Sequence, residues 1–216
     1  TAKIWDATQQ GDLNPLATLH HDHWVRNTVF NPEGTRIVTA SRNSTAKVWD
    51  ATQQGDLNPL ATLHHEGPVE YAAFNPAGNR IVTASRDHTA KVWDANQQGH
   101  LNPLAVLNHG DTVENPAFNP AGNRIVTASH DHTAKVWDAT QQGHLKPLAI
   151  LNHDASVYHA TFNSAGNRIV TASYDHTAKV WDTTEPRNII EALVRYHMVQ
   201  GNIKSNELPK HLQEDQ

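Results

Sequence analysis

Sixteen histidines and 22 acidic side chains in 216 residues raise two chemistries at once: metal ligation, and a relay of hydroxyl, imidazole and carboxylate. The relay residues come in sets. His65, Thr83 and Asp87 recur as His109, Thr127 and Asp131, and again as His153, Thr171 and Asp175, each 44 residues on. These are the parts of a nucleophile activated by a general base. They are also what a buried indole N–H needs, and a tryptophan follows each of these Asp residues by six positions, at Trp93, Trp137 and Trp181. Buried polar groups must find partners, so the order and spacing favour a structural network over a catalytic triad. For metal, His20, His21 and His23 form the best local cluster; His88, His132 and His176 recur once per repeat, which repetition alone explains. Equivalent positions in separate repeats stand too far apart for tetrahedral zinc, with Zn–N bonds of about 2.0–2.1 Å. No metal or other cofactor is expected. The sequence has no Gly-rich phosphate loop, no Gly-x-Ser-x-Gly elbow and no His-Glu-x-x-His stretch, so an enzyme is not expected.

The elements that position these residues repeat with them. Trp5, Trp49, Trp93, Trp137 and Trp181 are 44 residues apart and each is followed by Asp. In the second repeat, Val69 to Phe74 reads as strand a, Arg80 to Ser85 as b, Thr89 to Asp94 as c and Pro103 to Leu107 as d, short β-branched or alternating runs separated by turn residues. Asn75-Pro76-Ala77-Gly78 carries a type I turn signature, and Arg86-Asp87-His88 forms a tight polar turn between b and c. Gln97-Gln98-Gly99 opens the longer connection from c to d. The array spans 1–182, with a stub over 1–24 and blades over 25–63, 69–107, 113–151 and 157–182. Residues 183–216 read as a short helix, with Thr184 as its cap and Ile189, Ile190, Leu193, Val194, His197 and Met198 on one face, followed by a polar tail.

Taken jointly, these spacings resemble the WD40 family: Trp-Asp closing strand c, an Asp six residues before the Trp, and a His four residues before strand a at His21, His65, His109 and His153. The resemblance implies an all-β propeller with four-stranded blades, and a network within each blade made by that His, the strand-b threonine, the turn Asp and the Trp indole. Two departures stand out. The family's usual Gly before the His is His20, His64, Asn108 or Asn152 here, and those residues are expected to take over its positive-φ backbone. Asn43 stands where the other blades have Asp, so the first network should be weaker by about 1 kcal/mol. The family's rings usually hold more blades. The chain therefore reads as the C-terminal part of a longer propeller, with closure by two chains, or as a small four-bladed ring, as alternatives. Open blade edges would permit association.

Function is expected where the beat breaks. The repeats differ in the d–a loop with the start of strand a, and in the residue before the turn Asp. The resemblance places both on one face near the channel mouth. The candidates are Trp24, Arg26 and Arg42; Glu70, Tyr71 and Arg86; Glu114, Asn115 and His130; and Tyr158, His159 and Tyr174. Trp, Tyr and Arg dominate interface hot spots, whereas drift in exposed loops is the plainer explanation of the variation. The three arginines could converge on an acidic or phosphorylated segment, with Glu70 and Glu114 offsetting them. The expected partner is a protein or peptide. A net charge of -5 gives no general pull toward nucleic acid, and no apolar run reaches the roughly 18 residues of a membrane span. With no cysteine in the chain, a cytoplasmic location is expected. The alternatives are a module appended to an enzymatic or signalling domain, and a weak histidine-based metal-binding module.

Overall fold

The computed structural model describes residues 1–8, 10–11 and 14–183. The helix expected after 183 lies outside them. Alternating side chains along each strand point to opposite faces of a sheet, and both faces of these strands are apolar. Each sheet must therefore be covered on two sides. The chain meets this demand by stacking sheets as blades.

Strand a is Val25–Phe30, Val69–Phe74, Val113–Phe118 and Val157–Phe162 in successive blades. Strand b is Arg36–Ser41, Arg80–Ser85, Arg124–Ser129 and Arg168–Ser173, and strand c is Thr45–Asp50, Thr89–Asp94, Thr133–Asp138 and Ala178–Asp182. Strand d is Ala61–His64, Ala105–Asn108 and Ala149–Asn152, with Ala2–Ile4 and Ala17–Leu19 forming a c–d pair ahead of the first blade. Neighbours within a blade are antiparallel. Strand d of the second blade begins at Ala105 rather than Pro103; proline has no N–H to give a ladder.

The cores lie between blades. Val38, Ala40, Ala46, Val48 and Leu63 of the first blade meet Val69, Ala72, Ile81 and Trp93 of the second. The same residue types repeat where the second blade meets the third and the third meets the fourth. On the fourth blade the corresponding outward face is open. Val180 is 69% exposed where its equivalent Val136 is 3%.

The c–d connection, expected to be a loop, contains a further strand. Gly55–Leu57, Gly99–His100 and Gly143–Leu145 pair in parallel with strand d of the preceding blade, Gly99 opposite Ala61 and Gly143 opposite Ala105. The glycine in each has φ near +86° and open space around it, so backbone conformation, not crowding, selects Gly. These strands cover an otherwise bare edge.

Asn75-Pro76-Ala77-Gly78 closes as expected, the Gly78 N–H donating to the Asn75 carbonyl at 2.9 Å. The positive-φ expectation for the residue before the network His is overturned. His64, Asn108 and Asn152 end strand d in extended backbone, paired with Thr45, Thr89 and Thr133. Among the described residues, the non-glycine positions with positive φ are Ser44, His88, His132 and His176 in the b–c turns, where left-handed backbone closes the hairpin.

Hydrogen bonds also tie blades together. Asn27 Oδ1 accepts the N–H of Ala72 at 3.1 Å, and Asn115 Oδ1 accepts that of Ala160 at 3.5 Å. Between them, Tyr71 replaces Asn and Pro116 replaces the donor. The pair changes together, since proline has no N–H to offer. Asn27→Ala is expected to cost about 1–2 kcal/mol, because it strips the acceptor from the amide of buried Ala72. Amide exchange at Ala72 should accelerate; unchanged exchange would show that the bond contributes nothing.

Candidate functional site

Each blade's network is assembled from strand b, strand c and two turns. In the second blade, Asp87 Oδ2 lies 2.7 Å from His65 Nδ1, and His65 Nε2 lies 2.7 Å from Thr83 Oγ1. The Trp93 indole donates to the same hydroxyl at 2.8 Å. Asp87 also accepts from Thr89 N–H and O–H and from Glu66 N–H. The third and fourth blades repeat this through His109, Thr127, Asp131 and Trp137, and through His153, Thr171, Asp175 and Trp181. Burial lowers the His65 pKa, and its bond to Asp87 only partly restores it. The imidazole is then neutral, with Nδ1–H donating to the carboxylate and Nε2 accepting the Thr83 hydroxyl proton. Burial pushes Asp87 up, but the bonds from His65 and Thr89 outweigh it and hold the carboxyl well below its usual range. Thr83 is fully buried, so no substrate reaches its oxygen.

The first blade lacks the acid. Asn43 Oδ1 takes Thr45 N–H and O–H at 3.2 and 2.7 Å. His21 keeps its contact with Thr39 at 2.6 Å, but its Nδ1 is buried without a hydrogen bond. Burial, reinforced by Lys47, pushes the His21 pKa down to about 4. The candidate metal cluster is dispersed. His20 faces Asp56 at 3.1 Å, His21 faces Thr39, and His23 Nδ1 accepts the N–H of Trp24. Among the described residues, no group of three or more His, Cys, Asp or Glu side chains is placed to hold a metal ion.

The variable positions are brought together. The N–H of the residue before the turn Asp donates to the d–a loop in every blade: Arg42 to Trp24 O, Arg86 to Pro68 O, His130 to Thr112 O and Tyr174 to Ser156 O, each at 2.9 Å. The serine ending strand b reinforces this. Ser85 Oγ donates to Gly67 O at 2.9 Å and accepts the N–H of Asp87 at 3.1 Å. These serines escaped the sequence reading, although their recurrence at every strand-b end was their signal. Strand a is bulged in all four blades, the register shifting between Val25 and Asn27, Val69 and Tyr71, Val113 and Asn115, and Val157 and His159. The skipped residues are Arg26, Glu70, Glu114 and Tyr158. A bulge re-aims a side chain, and here it sets these four beside the b–c turns.

Around the rim, the side chains divide by blade. Arg26 Nε donates to Glu70 Oε2 at 2.7 Å and Arg86 Nε to Oε1 at 2.6 Å, while Arg42 Nε lies 3.9 Å from Oε1. The Glu70 side chain is 2% exposed. Burial raises its pKa, and the two bonded guanidinium groups more than reverse that. Trp24, 67% exposed, lies against the Arg42 guanidinium at 5.2 Å. On the other side, His130 sits 3.0 Å from Glu114 and edge-on to Tyr158, whose ring centroid is 4.0 Å from that of Tyr174. A hydrogen bond with Tyr174 pushes the Tyr158 phenol up to about 12.

Tyr71, Asn115 and His159 turn away from the rim. They line a groove of about 380 Å³ along the inner strands, with Phe74, Phe118 and Thr161. Glu70 and Asn115 are both buried and both engaged internally, which leaves them little surface to offer a partner.

The family model described as WD domain, G-beta repeat matches residues 13–50, 57–94, 101–138 and 145–182. The chain belongs to the WD40 family. No curated protein matches it. WD40 repeats generally serve as scaffolds for protein interaction and are typically non-enzymatic. That accords with networks whose hydroxyls are sealed inside the blades. In WD40 terms, the repeated His, Thr, Asp and Trp hold the blade, and the positions that differ between repeats divide between the rim and the groove along the inner strands.

Proposed function

We propose that this WD40 array is a protein- or peptide-binding scaffold that uses the face formed by the d–a loops and b–c turns. One observation carries the reading. Where the blades stop being alike, that face presents Trp24 at 67% exposure against the Arg42 guanidinium, and Tyr174 at 61% against the Tyr158 ring. Large exposed aromatics and Arg are what interface anchors are made of, and backbone hydrogen bonds between the b–c turns and the d–a loops, Arg42 N–H to Trp24 O and Tyr174 N–H to Ser156 O, tie both aromatics down.

Trp24→Ala with Tyr174→Ala is expected to reduce capture of partner proteins at least ten-fold, from roughly 2 kcal/mol per truncated anchor. Lys146→Ala, in the exposed c–d connection, should leave capture unchanged. Affinity capture with quantitative mass spectrometry would read both. Equal capture by the parent and the double variant would remove the reading.

A further inference from the structure

Resting on that reading, we propose that Arg26, Arg42, Arg86 and Trp24 form the receiving site for one anionic side chain of the partner, with Glu70 as the buried counter-charge that holds the site in shape. The charge count comes first. Three guanidinium groups meet one carboxylate, which leaves two positive charges in surplus. A buried carboxylate needs pairing, but the Nε bonds of Arg26 and Arg86 already provide it.

The donors come next. Arg26 and Arg86 each spend only Nε on Glu70. Arg42 Nε is buried and makes no hydrogen bond. Among the described residues, no terminal nitrogen of these three arginines is hydrogen-bonded to the protein. Guanidinium terminal nitrogens present a planar fork that suits a carboxylate or a phosphate. Glu70 fixes the stems and leaves the forks to the ligand. An orphaned buried donor such as Arg42 Nε calls for an explanation, and a ligand oxygen that draws this guanidinium forward supplies one.

The surroundings decide the class of ligand. Trp24 walls the site with an exposed ring against Arg42, so an apolar neighbour of the anion has a surface to rest on. The third and fourth blades present Glu114, His130, Tyr158 and Tyr174 at the equivalent positions, with no Lys or Arg among them. The anion is thereby directed to the first two blades. Backbone bonds from Arg42 and Arg86 to the d–a loops hold both turns in place before any ligand arrives, so little ordering entropy opposes binding.

Carboxylate and phosphate share this chemistry, and titration calorimetry on the full chain separates them. Four probes serve: a blocked hexapeptide with two adjacent glutamates followed by a leucine, its phosphoserine counterpart, its lysine counterpart, and inorganic phosphate. At least one acidic peptide should bind, more weakly as salt rises, while the lysine peptide stays silent. Arg42→Ala with Arg86→Ala should weaken Kd ten-fold or more. Arg42→Gln, which breaks no hydrogen bond of the fold, should weaken it at least five-fold with an unchanged melting curve. Binding by neither acidic peptide, or equal binding by Arg42→Gln, overturns the proposal. Inorganic phosphate binding as tightly as the phosphopeptide also overturns it, since the site would then hold an ion and not a segment. If Trp24→Ala with Tyr174→Ala abolishes partner capture while these peptides fail, the scaffold reading stands and only the anion site falls.

Discussion

Thr83→Val is expected to cost about 3 kcal/mol of stability, more than its near-identical shape suggests. The Thr83 hydroxyl accepts the Trp93 indole N–H and faces His65 Nε2; both side chains are buried, and Trp93 belongs to the core between the first two blades. Valine fills the space and satisfies neither. Leaving a buried polar group without its partner costs about 1–3 kcal/mol each. Thr83→Ser keeps the oxygen and should lose less than half as much. The measurement is the denaturant midpoint followed by tryptophan fluorescence and circular dichroism together. A valine variant within about 0.5 kcal/mol of the parent would mean that the network orders the blade without stabilising it. The equivalent change in the first blade, Thr39→Val, should cost a similar amount, since Trp49 and His21 also meet at that hydroxyl.

Acid should unfold the chain in two stages, and one substitution should blunt the first. Burial depresses the pKa of His21, His65 and His109 below 6.5. From about pH 6.5 downward the unfolded chain thus binds more protons than the folded one, and stability declines. For His21 the window runs from 6.5 to about 4. A second loss follows as pH falls below the usual carboxylate range. Asp87 and Asp131 are held lower when folded, their hydrogen bonds overcoming burial, and must then be protonated. Asn43→Asp gives His21 Nδ1 the acceptor that His65 has in Asp87. At pH 7 this should stabilise by about 1 kcal/mol. It should also raise the His21 pKa, shrink the first stage and add to the second. Nuclear magnetic resonance titration of the His21 ring, with melting temperatures from pH 7.5 to 4.5, checks both. An unmoved His21 midpoint would count against the pairing.

What could be read in the residues was whatever depends on type and interval. The Trp-Asp beat located strands a, b and c to the residue in the second repeat, because alternation and turn chemistry are local. The network partners His65, Thr83, Asp87 and Trp93 followed from the family pattern. The bulges at Arg26, Glu70, Glu114 and Tyr158 have no residue signature; they belong to the register between two strands, and a list of side chains does not carry register. The parallel strands at Gly55, Gly99 and Gly143 pair with a blade some 40 residues earlier, so no local window contains both partners. Glu70 was visible as an offset to the arginines, but not as the buried centre they surround. The positive-φ expectation at His64 failed because strand pairing with Thr45 imposes extended backbone there, and the positive φ lies at Ser44 in the adjoining b–c turn.

The ties between blades share a property with a kinetic consequence. Asn27 reaches 45 residues ahead, Arg36 reaches the Ala95 carbonyl 59 ahead, and Arg124 reaches that of Thr183, again 59 ahead. These separations stay constant as blades accumulate. The entropy of closing each loop is then the same for every blade added, and contact order relative to length falls as the array grows. Docking can start at any blade and run outward by equal steps, so a longer array need not fold more slowly per blade than a short one.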